Sequence, residues 1–132
     1  MRLEDRGKIR NREYAQILHD MSGLRWGKIT PTDIDAFLDF GNKAFVFIES
    51  KFKGKALTGG QKIALERLVD ACSVPTILIV VEHECKAGED IDMGSLFVTQ
   101  YRLHKRWRIP AAPITARHSI EAFLRYVGIN VQ

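Results

Sequence analysis

Two acids and a lysine in the first half of the chain carry the strongest chemical signal. Residues 33–40 and 44–51 each alternate with period two, and Gly41, Asn42 and Lys43 between them read as the loop of an antiparallel hairpin. A three-residue loop sets Phe40 opposite Ala44. Stepping outward, Asp35 then falls across from Glu49 and Asp33 across from Lys51. A two-residue loop would oppose Asp35 to Ile48 and put the apolar sets of the two strands on opposite faces, which the period of two disfavours. Two carboxylates directly opposed at roughly 5 Å between Cβ atoms repel each other unless something positive lies between them. A divalent cation suits that place, because Mg²⁺ takes one or two carboxylates and fills its remaining positions with water and phosphate oxygens. Lys51 lies roughly 7 Å further along the strand on the face of Glu49, where it could orient a water or offset phosphate charge. The plainer reading of Asp33, Asp35, Glu49 and Lys51 is a solvated strand face with a surface ion pair; their placement beside Phe37 and Phe47 in a hydrophobic hairpin favours the chemical one.

Two further clusters bear weighing. Residues 101–108 place four Lys or Arg (Arg102, Lys105, Arg106, Arg108) and two aromatic rings (Tyr101, Trp107) in eight positions, a mixture that grips phosphates and stacks on bases. An edge strand kept soluble by its charge is the alternative. Lys53 and Lys55, just past Lys51, would extend such a surface toward the acids. His83 and Cys85 share a strand face but lack the four-ligand spacing of structural zinc, so a strand end entering a polar loop explains them. The sequence holds no Gly-rich phosphate loop, Gly-x-Ser-x-Gly elbow or His-Glu-x-x-His motif.

The elements that must position these residues follow from periodicity. Tyr14, Ile17, Leu18 and Met21 recur at helical spacing before Gly23, which predicts a helix over residues 6–21. After the hairpin and a turn over 53–60, Ala64, Leu65, Leu68 and Cys72 mark the buried stripe of a second helix. Residues 76–84 read as a central strand buried on both faces, residues 86–93 as a polar loop, and residues 96–107 as a further strand. Past Pro110 and Pro113, Ile120, Phe123, Leu124 and Val127 give a last helix. That alternation predicts an α/β fold with a central mixed sheet flanked by helices.

The composition fits. A chain of 132 residues, 45% hydrophobic and 27% charged, suits one domain over residues 1–132 and excludes collagen-like, disordered and disulfide-scaffold classes. A net charge of +4 leans mildly toward polyanions. Two cysteines without a Cys-x-x-Cys pair, a charged start and no long apolar run lead us to expect a cytoplasmic protein with no membrane partner.

The string Thr-Asp-Ile-Asp-Ala-Phe-Leu at 32–38, followed by Phe-Val-Phe-Ile-Glu-Ser-Lys at 45–51, resembles the PD-(D/E)XK nuclease superfamily, especially its small Holliday-junction-resolvase-like members. The resemblance covers residues 6–84 and implies a restriction-endonuclease-like core of αβββαβ order. It implies Asp35 and Glu49 as metal ligands, with Mg²⁺ or Mn²⁺ as cofactor, and Lys51 as the residue that positions the attacking water. Glu13 resembles the helical glutamate that many such proteins bring to the metal, and Gln61 the glutamine that some place beside the site. Thr58-Gly-Gly-Gln61 also fits a capping box, in which the glutamine only satisfies a backbone amide. The pattern departs from the family's Pro-Asp pair, since Thr32 separates Pro31 from Asp33. Asp33 and Asp35 therefore compete; the register favours Asp35 and leaves Asp33 as an auxiliary or substitute ligand.

The resemblance thus implies a metal-dependent DNA endonuclease acting on branched or junction DNA, leaving 5′-phosphate and 3′-hydroxyl ends. Because resolution takes two symmetric cuts, it also implies a homodimer. The competing expectation is a catalytically silent nuclease fold that binds DNA or protein. A non-nuclease metal hydrolase is disfavoured for want of histidine ligands.

Overall fold

Five of the first six residues of Thr76–His83 are β-branched, and the strand they form lies at the centre of the sheet. The computed structural model describes residues 20–130, and the chain divides into two compact units, Met1–Pro31 and Thr32–Gln132. In the described part of the first unit, Trp26 and Ile29 exchange two backbone hydrogen bonds of 3.0 Å around a turn at Gly27. The helix expected over residues 6–21 lies outside the described residues except for its last two, which are not helical.

The second unit contains β1 (Ala36–Asp39), β2 (Phe45–Phe52), α1 (Gly59–Ala71), β3 (Thr76–His83), β4 (Phe97–Leu103), β5 (Arg106–Arg108) and α2 (Ala116–Tyr126). The strands form one five-stranded sheet in chain order, with β2 and β3 parallel and the other neighbours antiparallel. The α/β class with a mixed sheet is therefore present. Of the strands before α1, the described residues hold β1 and β2, where the resemblance implied three.

Parallel pairing of β2 with β3 demands a crossover, and α1 supplies it. Alternate residues of the two strands then serve two cores. Val46, Ile48, Ile77, Ile79 and Val81 pack with Phe123 and Leu124 of α2, whereas Phe47, Leu78 and Val80 pack with Leu65 and Val69 of α1. The stripe expected on α1 needs correction: Leu68 is exposed and Cys72 lies at the C-cap. The buried row is Leu65 and Val69, one helical turn apart, and it continues upward to Gln61. On α2, Thr115 caps the helix by accepting a hydrogen bond from the His118 N–H at 3.3 Å, and the expected apolar stripe faces the core.

The hairpin register is the one expected. Ala36 pairs with Ile48, Phe37 with Phe47, Leu38 with Val46 and Asp39 with Phe45. Gly41 and Asn42 have φ values of 64° and 60°, a left-handed geometry that these residue types tolerate, and Asp39 accepts a hydrogen bond from the Asn42 N–H at 2.7 Å. The single strand expected over residues 96–107 is instead a hairpin, β4 and β5, with His104 and Lys105 both at positive φ in its two-residue turn. No Asn-Gly signal announces that turn; the His104 ring meets the Tyr126 hydroxyl at 3.0 Å. No helix among the described residues is long and apolar enough to cross a membrane.

Candidate active site

Glu49 sits near the carboxyl end of β2, on the face covered by α1, and is buried with 4% of its surface exposed. Its neighbours on that face are Phe47 toward the core and Lys51 toward the open end. The 61-65-69 row of α1 turns Gln61 onto the same spot. Gln61 donates from Nε2 to Glu49 Oε1 at 2.8 Å and accepts from Lys51 Nζ at 2.7 Å. Lys51 Nζ lies 3.8 Å from Glu49 Oε1. Thr58, at the N-cap of α1, makes no side-chain capping bond, so Gln61 serves these two side chains rather than a capping box.

One atom is left over. Glu49 Oε2 is buried and has no hydrogen-bond partner among the described residues. An unsatisfied buried carboxylate oxygen is costly, and native proteins keep few of them. Burial pushes the Glu49 carboxyl above the usual carboxylate range and the nearby charge of Asp35 pushes it further, while Lys51, the Asp35 backbone amide and Gln61 draw it back.

Asp35 lies one step beyond the last paired residue of β1, at the position opposite Glu49. It is exposed, and its Oδ2 accepts from the Ser50 N–H at 2.7 Å and from the Ser50 hydroxyl at 3.0 Å. This explains why β1 is shorter than expected: residues 33–35 leave the ladder and a side chain takes up the Ser50 amide in place of a strand carbonyl. Asp33 is exposed in the segment before β1. Glu13 lies outside the described residues.

The basic residues divide into two groups. Arg102 donates to Asp70 from Nε at 2.9 Å and from Nη2 at 2.7 Å, and lies 3.6 Å from Glu66; only 13% of its side chain is exposed. Trp107 donates from its indole N–H to Glu66, and Lys62 and Arg102 each lie 5.8 Å from its ring centroid. Arg102 and Trp107 therefore fasten β4 and β5 to α1, and the Arg102 charge is compensated within the protein. Lys105, Arg106 and Arg108 are exposed on the β4–β5 hairpin. Lys53 pairs with Glu84 at 2.8 Å, both largely exposed, and Lys55 is exposed in the turn before α1.

The parallel register adds two facts that the sequence did not reveal. Glu82 is level with Lys51 and Val80 with Glu49, so a further carboxylate borders the lysine. Strand periodicity gives no parallel offset, so the strand expected over residues 76–84 does not by itself bring Glu82 beside Lys51. Cys85 meets His83 through a backbone N–H to Nδ1 bond of 3.1 Å, a local turn contact. Among the described residues no group of three or more His, Cys, Asp or Glu is arranged to hold a metal ion.

No match to a known protein was found. No family model matches the chain, and no curated protein or solved structure is significantly similar to it. Glu49 with one unsatisfied oxygen, and Asp35 opposite it with Oδ1 outside the Ser50 contacts, are two oxygen donors of the kind a hard divalent ion takes when water and phosphate complete its shell. Two carboxylates with water and phosphate oxygens would be a donor set that Mg²⁺ or Mn²⁺ accepts.

Proposed function

We propose that the protein is a metal-dependent DNA endonuclease, cutting phosphodiester bonds at branched or junction sites, with its centre at Glu49, Lys51, Asp35 and Gln61. The observation that carries this reading is the buried, unpartnered Glu49 Oε2 beside a lysine held in place by Gln61. Glu49 and Asp35 would hold a Mg²⁺ or Mn²⁺ ion, which when bound supplies Lewis-acid stabilisation of charge on the phosphate. Asp33 would be an auxiliary or substitute ligand, and Glu13 would assist at the metal, directly or through water.

The chain's own groups do the rest. Gln61 fixes the Lys51 ammonium at the edge of the site, where its protons can hold a phosphate oxygen or a water molecule in place before reaction. The same glutamine orients Glu49 by occupying Oε1, which leaves Oε2 as the free donor. Lys53, Lys55, Lys105, Arg106 and Arg108 offer exposed positive charge for the sugar-phosphate backbone; Arg102 and Trp107 contribute indirectly, by fastening the β4–β5 hairpin to α1. Two symmetric cuts at a junction would require a homodimer.

The test is cleavage of linear, nicked, flapped and four-way DNAs with Mg²⁺, Mn²⁺ or EDTA. We expect metal-dependent cutting strongest on branched substrates and lost in Glu49→Ala. Equal results for wild type and Glu49→Ala on every substrate would overturn the reading. DNA binding without turnover in any metal would instead support the silent nuclease fold.

A further inference from the structure

Phe37 lies in β1, two residues after Asp35 in the chain, and is paired with Phe47, itself two residues before Glu49 on β2. Its ring stacks on that of Phe47, with centroids 4.8 Å apart and an interplanar angle of 25°, and meets Phe45 edge-on at 5.1 Å. Phe47 is buried under α1, so the support beneath Phe37 is fixed. Yet 49% of Phe37 remains exposed. A half-exposed ring held against two others, close in the hairpin to Asp35 and Glu49, is a preformed stacking surface.

We infer that Phe37 is a platform for a nucleobase flanking the scissile phosphate, so that the substrate class is DNA with an unpaired or unstacked base at the cut. The inference rests on the nuclease reading above and deepens it. A base inside an intact duplex is stacked on both sides and cannot lie on a protein ring. A base at a branch point, flap or single strand can, and stacking on an aromatic ring is tolerant of sequence because every base has a π face. Phe37 would thus select structure at the cut without reading sequence. Its rigid support means that little ordering cost is added on binding.

The experiment uses the full chain and oligonucleotides carrying 2-aminopurine at the nucleotides flanking the cut, as single strands, four-way junctions and matched duplexes, in EDTA so that binding is separated from cleavage. Wild type is expected to quench the fluorophore in single strands and at the junction but not in the duplex. Phe37→Leu is expected to keep its melting transition, lose the quenching and bind roughly 5- to 150-fold more weakly. Phe37→Trp is expected to restore both, which separates stacking from a packing defect. Quenching and affinity unchanged in a folded Phe37→Leu would overturn the inference. The outcomes also separate the two ideas: metal-dependent cleavage with Phe37-independent fluorescence removes the platform and leaves the nuclease. Phe37-dependent quenching without cleavage in any metal retains the platform and removes the nuclease.

Discussion

Helix α1 presents two neighbouring rows to the sheet, and both meet charged side chains there, but with opposite consequences. The 61-65-69 row meets β2 and ends in Gln61 against Glu49 and Lys51. The 62-66-70 row meets β4 and β5, where Glu66 and Asp70 clasp Arg102 and Trp107. In the clasp a guanidinium fork is met by two carboxylates, with a bidentate bond to Asp70, an arrangement that stabilises charges taken out of water. At Glu49, one oxygen is satisfied and the other is not. The protein can therefore complete a charge network on this helix where it needs only structure. The incomplete network lies at the carboxyl ends of the two parallel strands, where open α/β sheets commonly bind ligands.

The comparison is sharpest where the expected effects are largest. Under the proposed nuclease function, Glu49→Ala and Lys51→Ala should each lower metal-dependent DNA cleavage by about 10³-fold or more, several kcal/mol of transition-state stabilisation, with the melting temperature little changed or raised for Glu49. Single-turnover kinetics and calorimetry on the same samples would check both halves; a large loss of stability in Glu49→Ala would erase the contrast with the clasp. Arg102→Met should do the reverse. It leaves Asp70 and Glu66 partly buried without a cation and should cost about 2–3 kcal/mol, discounted for the exposure these acids retain. Urea unfolding would measure that loss.

The two rows should also respond oppositely to pH. Glu49 binds its proton more tightly in the folded state, so its contribution to stability falls as pH rises from the ordinary glutamate value through the raised folded one. Asp70 is the opposite case: the hydrogen bond from Arg102 holds its carboxyl below the usual range against the effect of burial. Its contribution is present above the ordinary aspartate value and is lost as pH falls through the lowered folded one. Glu49→Gln should flatten the decline in stability from weakly acidic to neutral pH and leave the acid limb in place. Smaller effects complete the series. Trp107→Phe removes the indole bond to Glu66 and should cost about 1 kcal/mol in the same unfolding assay. Lys53→Met breaks an ion pair in open solvent and should leave the melting curve where it was.

Much of this geometry is legible in the sequence because it depends on short-range rules. A period of two and a Gly-Asn loop set the β1–β2 register, and with it the placement of Asp35 across from Glu49 and of Lys51 beside it. The β-branched run of β3 and the apolar stripe of α2 followed equally from local pattern. The strand limits did not, because the Asp35 side chain displaces a backbone partner of Ser50, and side-chain competition for an amide leaves no periodic trace.

What the sequence alone determined, then, is which residues alternate and which oppose one another within a hairpin, since steric periodicity acts over a few residues. Tertiary structure decided the rest. The rotation of α1 over the sheet directs Gln61 to Glu49 instead of to a capping bond, and Glu66 and Asp70 to Arg102 and Trp107 instead of to solvent. The parallel offset of β2 and β3 sets Glu82 level with Lys51. Each depends on how distant segments pack to bury Phe47, Leu65, Val69, Leu78 and Val80, and that packing is a property of the assembled core.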